Sequence, residues 1–338
     1  MSALASTDEA ADVTRRHGGG GPGAPAPARA VVRLLRPHQW TKNLLCLAGV
    51  AFSGRFLASA APIAINWPAS LRALATLGVF CAASSAIYAF NDVMDRERDR
   101  RHPTKRNRPV ASGAVSATLA STISVVLALA ALAGAFLLGG DVLLLLALYV
   151  INSLAYTLRL KHVALLDVLS VAVGFVLRLL AGCYAVDVMP TSWIVLCTFF
   201  LATFLAAAKR RAELAAAGED ETLRRPVLAK YSVQYLDALV NNCAAMAVIT
   251  YALFTIFKNP TLVVTVPIVF YGIMHYKLAV MVRAQGEEPD RALLRDVRIQ
   301  LAIVLWLVTF ALVMYLELRH GVRLFEDTQP VHRGGAVN

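Results

Sequence analysis

Charged residues are scarce in this chain of 338 residues, since Asp, Glu, Lys and Arg together make up only 16% of it. Soluble globular proteins carry about 25% charged residues, and disordered proteins are poor in apolar ones. The composition therefore argues against an ordinary cytosolic enzyme and against a disordered or collagen-like chain. Acidic residues are also fewer than basic ones, 22 against 33, which gives a net charge of +11.

Cysteine is rare as well, and it provides no framework for the fold. The five cysteines lie in apolar runs, are odd in number and form no CxxC pair. Disulfide frameworks use an even number of cysteines, and structural zinc sites commonly use closely spaced pairs. The sequence therefore predicts neither a disulfide-stapled fold nor a zinc protein.

Apolar residues are abundant, at 58% of the chain. At about 20 residues per span, this is enough for roughly nine membrane-spanning helices. The sequence predicts an all-α integral membrane protein with about nine transmembrane helices in one bundle. The nine apolar segments are 44–63, 71–91, 117–138, 140–158, 163–184, 192–209, 239–257, 261–281 and 299–318.

Three regions follow from this pattern. Residues 1–30 are rich in Ala, Gly and Pro and lack the apolar core of a signal peptide, so we predict a disordered cytoplasmic tail. Residues 31–320 form the transmembrane domain. Residues 321–338 are predicted to be a short flexible C-terminal tail.

The basic residues predict the orientation of the bundle. If the N-terminus is inside, the cytoplasmic segments hold 25 of the 33 Lys and Arg residues and the exterior segments hold six. This bias follows the positive-inside rule, and the odd number of spans places the C-terminus outside. The bias also accounts for the net positive charge, so no nucleic-acid partner is expected. The long, charged inner loops 92–116 and 209–238 are the expected location of function.

An acidic motif, NDVMDRERD, follows the second apolar segment at residues 91–99. On a continuing helix, Asp92, Asp95 and Asp99 share one face, and Asn91 adds a neutral oxygen. Oxygen ligands without His or Cys suit Mg²⁺, which also binds substrate phosphates. The alternative is a solvated helix end in which these aspartates pair with neighbouring arginines.

A basic loop, HPTKRNRPVASG, follows directly at residues 102–113. Lys105 provides a point charge and Arg108 a bidentate fork, so both suit a polyphosphate beside the carboxylates. Positive-inside topology explains the number of basic residues here, but it does not explain the aspartates among them.

Together, the two stretches resemble the first signature of the UbiA-type intramembrane prenyltransferases, and the likeness extends over nearly the whole chain after about residue 31. The resemblance implies a bundle of nine transmembrane helices with a central cavity that faces the cytoplasm. It also implies that Asp92, Asp95 and Asp99 bind Mg²⁺ and are catalytic. The second acidic signature of that superfamily is missing, and Lys209 and Arg210 stand in its place.

Four further stretches resemble one branch, the decaprenyl-phosphate phosphoribosyltransferases: 36–43, 156–161, 167–178 and 209–213. This resemblance implies transfer of phosphoribosyl from 5-phosphoribosyl 1-diphosphate to a polyprenyl phosphate in the plasma membrane, with release of diphosphate, for cell-wall arabinan. Lys161 would be catalytic. The substrate-binding residues would be Lys42, Asn91, Lys105, Arg108, Tyr156, Lys209 and Arg210.

Three charged residues have open roles. Asp167 lies inside the fifth apolar segment, where a charge is either functional or a partner for Lys161 or another basic residue. Arg178 is too far along the same helix to pair with Asp167, and we expect it to extend to the outer interface. Glu213 either pairs with Lys209 or orients it. The oligomeric state and the lipid's chain length are also left open.

Two rival functions remain at this point. An aromatic-acceptor prenyltransferase of the same fold would use a prenyl diphosphate as donor, although the missing second acidic motif argues against it. A transporter of anions or lipid phosphates would use basic residues within the membrane. Transporters often show internal repeats, and the second half of the sequence does not repeat the motif at 91–99.

Overall fold

The computed structural model describes residues 27–53, 66–103, 105–217, 226–282 and 296–320. Within these ranges the chain is helical, with short 3₁₀ segments and no strand. We number the α-helices α1 (Pro27–Leu35), α2 (Ala48–Ser53), α3 (Trp67–Met94), α4 (Arg96–Arg101), α5 (Ala117–Leu138), α6 (Gly140–Leu158), α7 (Leu166–Ala185), α8 (Ser192–Ala217), α9 (Val233–Lys258), α10 (Val266–Val282) and α11 (Val297–His320).

Eight helical segments in the described ranges are long and apolar enough to cross a membrane. They coincide with the second to ninth predicted segments, so the prediction of an all-α membrane protein is confirmed. The first predicted segment, 44–63, contains the end of a 3₁₀ helix at Pro37–Leu47 and then α2. Its remaining residues, from 54 onward, lie outside the described residues, as does the predicted tail 321–338.

The bundle has two packed halves. One core lies among α3, α5, α6 and α7 and contains Phe80, Ala135 and Leu146. The other lies mainly among α8, α9, α10 and α11 and contains Phe204 and Ala244. Small residues at helix contacts let the backbones approach closely, which is how helices pack in a membrane. α7 packs against both α6 and α8 and therefore joins the two halves.

The 3₁₀ helix Pro37–Leu47 and α2 pack directly onto α7. A Cβ atom added to Gly182 would lie 1.9 Å from the carbonyl oxygen of Cys46, and one added to Gly49 would lie 2.6 Å from the Cα of Cys183. Only glycine fits at these two positions. The indole of Trp40 also donates to Ser85 of α3 over 3.0 Å. The 3₁₀ helix is thereby fixed between α3 and α7.

Helix α1 corrects one predicted boundary. It begins at Pro27, so residues 27–30, assigned above to a disordered tail, are helical, whereas residues 1–26 lie outside the described part. Ala30 and Leu34, one turn apart, are buried in a core with Val110. This apolar stripe provides the packing that a short helix needs. α1 is therefore held against the end of α3 and the loop that follows α4.

Candidate active site

The acidic motif lies where α3 gives way to α4. α3 ends at Met94 and α4 begins at Arg96, so the expected continuous helix is interrupted at Asp95. Backbone hydrogen bonds continue through the break, from Asp95 N to Asn91 O over 2.9 Å and from Asp99 N to Asp95 O over 2.8 Å. Asp92 and Asp99 are buried and Asp95 is half-buried. We call Asp92, Asp95 and Asp99 the acidic cluster.

Arg108 lies beside two members of the acidic cluster. Its Nη1 is 2.6 Å from Asp99 Oδ2 and 3.6 Å from Asp92 Oδ1. One guanidinium therefore faces both carboxylates. Asp92 and Asp99 lie on the same side of the chain, and their spacing in the sequence predicts this. Arg36, for which the sequence predicts no role, donates to Asp92 Oδ1 from the N-terminal segment. The stretch 36–43 contributed to the resemblance, but nothing in the sequence singled out its first residue.

The end of α6 contributes the next contacts. Thr157 Oγ1 donates to Asn91 Oδ1 over 2.7 Å. Lys161 Nζ lies 3.4 Å from Asp95 Oδ1. The structure therefore places Lys161 beside the acidic cluster, and its catalytic role stays a prediction. It also shows that cations from three separate segments surround these carboxylates.

The acidic cluster has the chemistry for a divalent cation, although the described residues contain no group of three Asp, Glu, His or Cys side chains arranged to hold one. Asp92 Oδ2 is buried and has no hydrogen-bond partner among the described residues. A buried oxygen of this kind is costly unless something binds it. Mg²⁺ takes only one or two carboxylates together with substrate phosphates, so the residues fit such an ion.

A second cluster of polar side chains is buried between α7 and α8. Arg210 Nε donates to Asp167 Oδ2 over 2.7 Å, and Arg210 Nη1 donates to Glu213 Oε2 over 2.9 Å. Arg210 Nη2 donates to the hydroxyl of Tyr156 over 3.1 Å. The hydroxyl of Tyr231 donates to Asp167 Oδ1 over 2.6 Å. We call these residues the Asp167 cluster.

These contacts concern two residues whose roles the sequence left open. Asp167 is a partner of a basic residue, and that residue is Arg210. Glu213 also accepts from Arg210, which lies one helical turn before it on α8. All three guanidinium nitrogens of Arg210 donate within the protein, and the residue is 4% exposed. Arg210 would therefore act on a substrate indirectly, through the Tyr156 hydroxyl, or would have to give up one of these hydrogen bonds to bind it directly. Its direct contact with phosphate stays a prediction.

Tyr231 was not singled out in the sequence, because it stands in the loop before α9 with no motif around it. Its hydroxyl also accepts from the backbone N–H of Leu165 over 2.7 Å. Leu165 has a φ of 67°, which is uncommon for a residue other than glycine. Burial and then the hydrogen bond to Asp167 raise the pKa of Tyr231, so the phenol stays protonated and acts as a donor.

Arg178 contradicts the expectation that it extends to the outer interface. It is buried, and its Nε, Nη1 and Nη2 donate to Asn43 Oδ1, Gly174 O and the Tyr149 hydroxyl at 2.6, 2.7 and 2.8 Å. The guanidinium also lies 4.4 Å from the centre of the Tyr149 ring. Full hydrogen bonding and an aromatic face make a charge inside the bundle tolerable. Arg178 therefore connects α6 and α7 to the 3₁₀ helix before α2.

The remaining predicted residues lie on the segments that carry the site. Lys42, Lys105 and Lys209 are half-buried, and their roles in substrate binding stay predictions.

His102 lies beside Lys105. Partial burial lowers the pKa of His102, and the positive charges of Lys105 and Arg108 lower it further. The nearby Asp99 carboxylate opposes this shift but does not cancel it. The imidazole is therefore neutral at pH 7.

A cleft of about 290 Å³ opens beside Asp92, between α1, the following 3₁₀ helix and the loop after α4. Its lining is predominantly basic. The lining residues are Arg33, Arg36, His38, Asp92, Asn107, Arg108 and Pro109.

Residues 47–302 match the model of the UbiA prenyltransferase family. Decaprenyl-phosphate phosphoribosyltransferase of Mycobacterium tuberculosis is 34% identical over 284 residues, covering 82% of this chain and 92% of that protein. The protein of the same name from Mycolicibacterium smegmatis is 31% identical over 307 residues, covering 85% of this chain and 93% of that protein.

The fold is also similar to solved structures. A UbiA homologue from Archaeoglobus fulgidus, bound to GPP and Mg²⁺, superposes with a TM-score of 0.64 at 20% identity, covering 84% of this chain and 99% of that one. At this identity the likeness establishes the fold.

Proposed function

Because the chain belongs to the UbiA prenyltransferase family, we propose that it is the phosphoribosyltransferase of that family. It transfers phosphoribosyl from 5-phosphoribosyl 1-diphosphate to a polyprenyl phosphate. The two relatives named above, matched over most of their length, are both named decaprenyl-phosphate phosphoribosyltransferase. The product would supply precursors of cell-wall arabinan. The chain is a multi-pass membrane protein, and we place it in the plasma membrane with the acidic cluster facing the cytoplasm.

The observation that carries the proposal is the number of cations around the acidic cluster. Arg36, Arg108 and Lys161 reach it from three separate segments. The donor carries a diphosphate and a 5-phosphate, and the lipid acceptor carries another phosphate. A pair of substrates with that many anionic groups needs several cations close together.

The reaction exchanges one bond at the ribose. The bond from C1 to the diphosphate oxygen breaks, and a bond from C1 to an oxygen of the lipid phosphate forms. Diphosphate leaves with the bonding electrons. The lipid phosphate is already ionised at neutral pH, so a strong general base is not required.

The chain's own residues position these groups. Asp92, Asp95 and Asp99, with Asn91, would hold Mg²⁺, which when bound neutralises charge on the departing diphosphate. Arg108 and Lys161, which contact the acidic cluster, would bind phosphate oxygens and stabilise the charge that develops. Tyr156, whose hydroxyl accepts from Arg210, lies at the end of α6 next to Thr157, which donates to Asn91. Holding both substrates in one place provides much of the acceleration.

An activity assay with the purified protein tests the proposal directly. The protein is incubated with Mg²⁺, 5-phosphoribosyl 1-diphosphate and polyprenyl phosphate, and the lipids are analysed by mass spectrometry. The expected product is polyprenyl-phosphate phosphoribose. A parallel reaction offers a prenyl diphosphate and 4-hydroxybenzoate. Turnover of the second pair alone would replace the proposal with the aromatic prenyltransferase.

A further inference from the structure

The cleft beside Asp92 carries an excess of positive charge. Arg33, Arg36 and Arg108 line it, and Asp92 is the one carboxylate among its lining residues. A water molecule takes about 30 Å³ of liquid volume, so a cleft of about 290 Å³ has room for a phosphate group with part of its sugar or lipid. Excess positive charge and room of this size suit an anion.

Arg36 is held toward the cleft by an unusual backbone. Its φ and ψ are 52° and 60°, in the left-handed region that residues other than glycine and asparagine seldom adopt. Such conformations persist where the surrounding structure requires them, often at functional sites. Its guanidinium donates to Asp92 and lies 5.1 Å from the Tyr88 ring. Because arginine has five N–H donors, others remain for a ligand.

Arg33 is the exposed member of the group. It lies on α1, which is anchored through buried Ala30 and Leu34. In the part of the chain that the structure describes, no carboxylate forms an ion pair with Arg33. Its charge is therefore presented to the cleft by a packed helix without being neutralised there.

We propose that this cleft binds the phosphate monoester of one substrate, either the 5-phosphate of the donor or the phosphate of the lipid. The inference rests on the proposed function and adds a subsite to it. The cleft is lined by Asp92 of the acidic cluster and by Arg108, which contacts that cluster, so a phosphate bound here would lie next to the diphosphate. Arginine forks match phosphate oxygens in pairs, which favours this ligand over a halide.

Arg33→Gln tests the subsite, because the residue is exposed and its loss removes no packed group. The matched control is Arg101→Gln, which removes one exposed positive charge from α4. Initial rates are measured with each substrate varied at a saturating level of the other. We expect the KM of one substrate to rise about tenfold, the low end of the effect of a charge-assisted hydrogen bond, with kcat within twofold of wild type.

The outcomes separate the possible sources and the possible failures. A higher KM for 5-phosphoribosyl 1-diphosphate assigns the donor's 5-phosphate, and a higher KM for polyprenyl phosphate assigns the lipid. If Arg33→Gln matches both wild type and Arg101→Gln, the subsite is refuted while the proposed function stands. Wild-type protein that forms no product from these substrates would refute the proposed function first. Thermal unfolding of both variants confirms that they are folded.

Discussion

Arg210 of α8 and Asp167 of α7 form a buried ion pair, with 2.7 Å between the guanidinium Nε and the carboxylate Oδ2. The basic residue that stands in place of the superfamily's second acidic motif is therefore neutralised by an acid from the neighbouring helix. The pair fixes α7 to α8, and through Tyr156 it also reaches α6. Its first role is to hold the polar end of the bundle together.

Asp167→Asn should destabilise the protein. The change leaves the buried Arg210 charge with Glu213 alone, and breaking a buried ion pair costs about 3–5 kcal/mol of unfolding free energy. Thermal unfolding in detergent measures the effect. The double variant Asp167→Asn/Arg210→Met should recover part of the loss, because it removes the orphaned charge. A double variant as unstable as the sum of the two single variants would show that the pair is not coupled.

Asp92→Asn and Asp95→Asn should each abolish turnover. Both changes remove a charged oxygen from the acidic cluster, and with it the proposed hold on Mg²⁺. Product formation is followed by mass spectrometry across a Mg²⁺ titration. Glu97→Gln is the control, since Glu97 is exposed and pairs with Arg100 on α4. Full activity in either aspartate variant would mean that the cluster is only a charged helix end.

Arg178→Lys should lower the thermal stability of the bundle, although it keeps the charge. A lysine ammonium cannot reproduce the planar fork that donates to Asn43, Gly174 O and Tyr149. Removing donors that satisfy buried acceptors costs about 1–3 kcal/mol for each acceptor left unsatisfied. Arg159→Lys, at an exposed position, should leave the melting temperature unchanged. Equal melting curves for the two variants would contradict a structural role for the network.

Gly182→Ala should disrupt the contact between the N-terminal segment and α7. The added methyl group would overlap the backbone at Cys46, which cannot move aside as a flexible side chain can. Overpacking of this kind costs about 1–3 kcal/mol or more. Gly78→Ala makes the same change in α3, where a Cβ meets nothing within 4 Å, and should be neutral or stabilising by about 1 kcal/mol. The two variants are compared by the amount of protein recovered from cell membranes and by the midpoint of thermal unfolding.

The topology prediction is tested by labelling. A cysteine introduced at Arg101, which is exposed on α4, should react with a membrane-impermeant maleimide only after the membrane is opened. A reporter joined after residue 338 should be accessible from outside. Labelling of position 101 in intact cells would show that the bundle has the opposite orientation and that the acidic cluster does not face the cytoplasm.

Composition and spacing determined the class of the protein and the residues of the acidic cluster. Long apolar segments can satisfy their backbone in a membrane only as helices, so eight of the nine segments could be identified without coordinates. The spacing of Asp92 and Asp99 predicted a shared side, and Arg108 contacts both. These features depend on local helix geometry, which a sequence pattern records directly.

Tertiary structure decided which charges meet. The contact of Arg36 with Asp92 joins residues 56 positions apart, and that of Arg178 with Asn43 joins residues 135 positions apart. Sequence spacing carries no information about such pairs, because they depend on which helices become neighbours. For the same reason, the sequence placed Arg178 at the interface and gave no sign that Arg210 pairs with Asp167. Packing buried both guanidinium groups, and a buried charge binds the nearest partners that the bundle provides.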